Sequence, residues 1–272
     1  MSEAPVLVDA HHHVWDLDIR PQSWLDEPGH EPLRRSFGTD DLRTAATRPI
    51  AGRRLECTVL VQCVASVEET REFLALADGD PLVGAVVGWA DLTSPAIGDV
   101  LDALRAGPGG TYLRALRHLV QGESDATWLQ RPSVERGLRA VAERGLGYDL
   151  LIRDDQFPQA IRLAERLPGL PLVLDHAGKP PIVRRDLADW ERGVRRLAAH
   201  PHVRCKVSGT DHRGRPREVD RRRHPGRCGR SCWRPFGPDR LMFGSDWPGL
   251  RPGRRLEPLG RPPVGELLDG CS

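Results

Sequence analysis

The sequence predicts a closed barrel of eight parallel strands wrapped by helices, a (β/α)8 architecture of the α/β class, on three observations. The length of 272 residues suits it, because such barrels run to roughly 250 residues. Eight short apolar, β-branched runs recur, at 6–12, 57–63, 82–89, 112–119, 147–152, 171–176, 203–208 and 240–245. Stretches with apolar residues at helical spacing separate most of them, at 67–77, 97–104, 134–142, 157–167 and 187–197. Strands that alternate with helices pair in parallel, and eight such units close most simply as one barrel. An open doubly wound sheet is the alternative, but no Gly-rich phosphate loop follows the first run. The whole chain, 1–272, reads as one domain.

Composition narrows the partners. Residues 211–272 hold 14 of the 40 Lys and Arg but only 8 of the 38 Asp and Glu, so the basic excess belongs to the last quarter. That stretch has neither an aromatic stacking pattern nor amphipathic periodicity, and nucleic acid is not an expected partner. No apolar run approaches the ~18 residues that span a bilayer, and no signal peptide opens the chain, so no membrane partner and a cytoplasmic location are expected. The six cysteines lack CxxC spacing, which argues against both a disulfide framework and a thiolate zinc site. Oligomeric state is not legible.

Barrel enzymes carry their chemistry at the C-terminal ends of the strands. The first run ends in VDAHHHVWD, where His11 and His13 are two apart. A strand period of 2 sends both side chains to one face, so two imidazoles can share an ion. His12 points the other way and is read as structural. The sixth run ends in LVLDHAGKP with His176, and the eighth in GSDWP with Asp246 beside Gly244 and Ser245. Three histidines and a carboxylate from strands 1, 6 and 8 make a donor set for zinc or a related divalent ion. In LRALRHLVQ, Arg114 and Arg117 are three apart and face opposite sides of a strand. Arg117 is read as the inward one, a clamp for an anion or carbonyl, with an ordinary ion pair as the alternative. Trp15, Trp89 and Trp247 each sit at a strand end, where they either wall a pocket or pack the core.

The motifs DAHHHVWD, VLVQ, LRALRHLVQ, YDLLIR, VLDHAGKP, CKVSG and FGPDRLMFGSDWP, in that order over residues 6–248, resemble the amidohydrolase-related superfamily. The similarity is to its branch of TIM-barrel hydrolases that includes sugar lactonases acting on fuconolactone and rhamnonolactone. The resemblance implies that His11 and His13 form the HxH pair, that His176 is the third histidine, and that Asp246 activates water. It implies that Arg117 holds a substrate carboxylate or ring oxygen. It implies one divalent metal, zinc by ligand type, although some relatives work without one and use the same histidines as hydrogen-bond donors. The expected reaction is attack of water on the ester carbonyl of a small sugar lactone. A decarboxylase or hydratase of an unsaturated carboxylic acid is the second enzyme reading, and an inactive degenerate copy the third.

Two segments depart from the family pattern. Residues 211–235 contain nine arginines and no apolar periodicity, where a barrel needs its seventh helix. Read one base later, GC-rich codons for much of this stretch yield helix-forming residues, and the residues after Pro248 behave similarly. Frameshifts are therefore inferred in 211–235 and 249–272, and outer helices 7 and 8 are expected to be disrupted.

Overall fold

The computed structural model describes residues 5–47, 49–50, 52–181, 186–208 and 234–249. The expected disruption of 211–235 and 249–272 falls almost wholly outside these residues.

Eight strands lie at the expected places: β1 Val6–His12, β2 Arg54–Val61, β3 Val83–Gly88, β4 Leu113–His118, β5 Gly147–Leu150, β6 Leu172–Leu174, β7 Val203–Val207 and β8 Leu241–Phe243. They pair in sequence order, every neighbour parallel. The barrel closes just past β8, where His12 bridges Trp247 in parallel. Asp246 N–H donates to His11 O at 2.8 Å, and His13 N–H donates to Trp247 O at 2.8 Å. This is the (β/α)8 barrel that the sequence predicts.

Five of the six described helices follow the apolar spacing, and the first, a short one, does not. The six are α1 Thr39–Ala45, α2 Val67–Gly79, α3 Ile97–Ala106, α4 Pro132–Glu143, α5 Phe157–Arg166 and α6 Ala188–Ala198. Ser66 caps α2 by accepting from Glu69 N–H, which satisfies one of the first-turn donors. Pro132 opens α4, where a missing N–H costs nothing. On α6, Trp190, Val194 and Leu197 are buried at helical intervals and join the layer between helices and sheet.

Strand alternation divides the interior. Leu60, Val86 and Leu116 belong to the main core, whereas Val61, Val87 and Ala115 form a separate apolar cluster on the other face of the sheet. Moving around the barrel, that apolar filling gives way to buried Arg117 on β4, Asp149 on β5, Asp175 just past the end of β6 and Lys206 on β7. An irregularity between Asp9 and His12 sets three steps of β1 against two of β2. Such a bulge re-aims side chains, and here it falls on His11.

Candidate active site

His11, His13, His176 and Asp246 come together at one end of the barrel. His11 Nε2 and His13 Nε2 are 3.2 Å apart. Asp246 Oδ1 lies 3.7 Å from the first and 3.6 Å from the second, and its Oδ2 lies 3.9 Å from His176 Nδ1. The His13 side chain is 16% exposed and that of Asp246 19%, whereas that of His11 is wholly buried. The cluster therefore opens on the His13 and Asp246 side.

Local backbone explains the convergence. Asp246 has φ +58°, an unusual left-handed conformation for aspartate, and its N–H is tied to β1. Gly244 is required beside it, because a Cβ there would stand 2.7 Å from the His11 Cβ. His176 heads a run of left-handed residues, His176, Ala177, Gly178 and Lys179, with φ from +52° to +67°. The sixth strand accordingly stops at Leu174, earlier than the expected 176, and turns His176 toward Ser208, whose Oγ is 3.0 Å from Nδ1.

The electrostatics assign protonation states. Burial opposes charge on Asp246, but His176, His13 and His11 outweigh it and hold the carboxyl well below the usual range. Burial holds His11 well below the ordinary imidazole value and lowers His176 to about 4. The site thus sets an ionised carboxylate beside the neutral imidazoles of His11 and His176.

Its donors suit a cation. His13 Nδ1 is 2.7 Å from Val61 O, a pure acceptor, so Nδ1 carries the proton and Nε2 presents a lone pair. His11 Nδ1 faces Asp175 Oδ1 at 3.4 Å, which favours the same tautomer. Two lone pairs and a carboxylate oxygen then meet within 3.2–3.7 Å. A tetrahedral zinc with nitrogens at ~2.0–2.1 Å separates adjacent ligand atoms by roughly 3.4 Å. The residues present fit a divalent ion held by His11, His13 and Asp246, with His176 alongside.

Arg117 points inward as expected, and Arg114 is exposed. Its guanidinium is spent on protein groups: Nη1 is 3.1 Å from Asp175 Oδ2 and 3.2 Å from His11 Nε2, and Nη2 donates to Gln62 O at 2.5 Å. It is an ion-paired residue that reaches the site through His11. Trp15 is buried, donates to Arg35 O at 2.7 Å and packs edge-on against Trp24 and Phe37. Trp247 is buried against Phe37. Trp89 is half-buried, and its indole N–H donates to His118 Nδ1 at 3.1 Å.

Sequence reasoning missed Asp149, Asp175 and Lys206, which pair beneath the cluster. Lys206 contacts Asp149 closely and lies 3.3 Å from Asp175 Oδ1. Burial would raise the Asp175 carboxyl, but Lys206, His11 and Arg117 keep it ionised, well below the usual range. For Asp149 burial prevails, and its carboxyl is pushed up to about 6. The signal was a charged residue inside an apolar strand run, as in YDLL, VLDH and RCKV.

A family model described as amidohydrolase matches residues 8–261. The L-fucono-1,5-lactonase of Burkholderia ambifaria is 34% identical over 244 residues, which are 90% of this chain and 81% of that protein. The L-fucono-1,5-lactonase of Burkholderia multivorans is 35% identical over 251 residues, 89% of this chain and 81% of that one. A crystal structure of a Burkholderia multivorans amidohydrolase with bound zinc superposes with a TM-score of 0.79 at 35% identity, covering 90% of this chain and 85% of that one. On its sequence and its barrel alike, the chain belongs to the amidohydrolase family.

Proposed function

We propose that this protein is a lactonase that opens the ester ring of a small sugar lactone of the L-fucono-1,5-lactone type. The observation that carries this reading is the ionised Asp246, set on the open side of three imidazoles. The names of the relatives at 34–35% identity support the substrate class, and nothing in the site favours decarboxylation or hydration.

Asp246, ionised at neutral pH, takes the proton of the attacking water as general base. Its two oxygens face different partners, Oδ1 the His11 and His13 pair and Oδ2 His176. One can therefore sit with the imidazoles while the other accepts the proton. His176, neutral and hydrogen-bonded to Ser208, is placed to steady the oxyanion, and the proton taken up by the Asp246 carboxyl passes from there to the leaving alkoxide. A divalent ion such as zinc, held by His11, His13 and Asp246, would supply Lewis acidity and bring a bound water's pKa toward ~7.

The test is a panel of sugar 1,4- and 1,5-lactones with acid release followed in weak buffer. Turnover of at least one deoxy-sugar lactone is expected. Rates equal to spontaneous hydrolysis across the panel would remove the assignment.

A further inference from the structure

Arg117, Asp149 and Lys206 come from β4, β5 and β7, Asp175 directly follows β6, and all four are nearly or wholly buried. Burying four charges is expensive, and well-packed apolar residues are often as stable or better. The same barrel fills the corresponding space on β2, β3 and β4 with Val61, Val87 and Ala115. None of the four touches the reacting atoms in the proposed hydrolysis, so their retention needs another account.

Their geometry leads to His11. Asp175 Oδ2 is held by Arg117 Nη1 at 3.1 Å, and Oδ1 is shared between Lys206 Nζ at 3.3 Å and His11 Nδ1 at 3.4 Å. Lys206 is in turn anchored by Asp149. Burial alone would disfavour the ammonium, but the two carboxylates reverse this and raise its pKa. The contacts run from Asp149 to Lys206 to Asp175 to His11, the last two as ion pairs rather than hydrogen bonds.

The end of this chain is a choice of tautomer. With the proton on Nδ1, His11 presents an Nε2 lone pair to His13 and Asp246. With the proton on Nε2, the ring would aim an N–H at the place where a donor atom is needed. A carboxylate beside Nδ1 favours the first form, as carboxylate partners do for ligating histidines, and Arg117 Nη1, a pure donor 3.2 Å from Nε2, favours it as well. We propose that Lys206 is a positioning residue, which acts through Asp175 to keep the His11 proton on Nδ1 and the Nε2 lone pair directed into the site.

This rests on the catalytic reading of the cluster, and the test separates the two. The double variant Lys206→Met, Asp149→Asn in the full chain removes one buried charge of each sign, and thermal melting checks its fold. Its kcat on the best lactone should fall ~10–100-fold, the usual effect of losing a group behind a ligating histidine, with KM little changed. In 15N-histidine-labelled protein, the His11 ring should pass from one tautomer to a mixture. Asp149→Asn alone, which keeps the contact between Lys206 and Asp175, should retain the single tautomer. A folded double variant with wild-type kcat, or one whose kcat falls while the tautomer is unchanged, overturns the proposal. If the double variant shows no cooperative melt, Lys206→Arg supplies the same two readouts, because it keeps the charge on a differently shaped group. The NMR comparison needs no substrate, so absence of lactonase activity in the wild type would defeat the functional reading alone.

Discussion

Asp246 N–H donates to His11 O at 2.8 Å, so the candidate base is bound by its own backbone to the strand that carries two of its imidazole neighbours. The bond that closes the barrel also sets the site. A side-chain change that spares the backbone should therefore leave geometry intact and remove only chemistry. Asp246→Asn is expected to lower kcat by ~10²–10⁴-fold, the usual worth of a general base. Melting should shift little, and comparison of steady-state rates with a thermal melt checks both. Near-normal turnover would assign the base to another group.

The lone pairs of His11 and His13, 3.2 Å apart, repel unless a cation or a proton lies between them. Chain purified with zinc is expected to keep about one ion, and chelation should reduce activity until zinc is restored. His13→Gln should lose most zinc affinity with little loss of stability, because His13 is partly exposed. Elemental analysis after dialysis reads the stoichiometry. Wild-type activity in verified metal-free protein would instead give the cationic role to Arg117, already 3.2 Å from His11 Nε2.

The strands were legible because their apolar runs are short, β-branched and spaced by helical stretches. Helix α1 was not, since it is seven residues long and buries only Leu42, too little to make a period. Its start is marked by Asp41, whose carboxylate accepts from Gly38 N–H at 3.0 Å. His11, His13, His176 and Asp246 were visible as polar residues at strand ends. Asp149, Asp175 and Lys206 were equally visible as charges in apolar runs, but their meaning lies in one another. Pairings across β5, β6 and β7 are tertiary, and no spacing along one strand states them. The conformation of His176 was hidden for a similar reason, because the left-handed turn is imposed by α5 and α6.

His12 should make the fold acid-sensitive. It is fully buried, and neither ring nitrogen has a hydrogen-bond partner among the described residues; burial lowers its pKa to about 3. Below pH ~6.5 the unfolded chain takes up a proton that the folded chain refuses. Stability from this residue is complete above that pH and falls until pH reaches the folded value, amounting to about 2 kcal/mol by pH 5. His12→Phe removes the titration and two unpaired polar atoms. Urea unfolding at pH 7.5 and pH 5 should show a smaller acid loss in the variant. Parallel pH profiles for both proteins would place the acid sensitivity elsewhere.

The left-handed run at His176 to Lys179 costs energy that its surroundings must repay, on the order of 1 kcal/mol or more for each non-glycine residue. Two contacts account for its persistence. Trp190 Nε1–H donates to Ala177 O at 2.8 Å, and Phe157 packs so tightly on Gly178 that a Cβ there would stand 2.4 Å from the ring. Trp190→Phe keeps most of the apolar volume but strands a buried carbonyl, which should cost about 1–3 kcal/mol. The turn is then freer to relax, and His176 moves with it. A catalytic group displaced by ~1 Å can lose on the order of 10²-fold in rate, so kcat should fall further than the stability loss suggests. Gly178→Ala should be worse for stability, since it meets both the Phe157 ring and a φ of +67°. Urea midpoints at constant m-value and kcat on the best lactone check the pair. If Trp190→Phe lowers the midpoint yet leaves kcat untouched, the turn holds its shape without that bond, and Phe157 alone sets the position of His176.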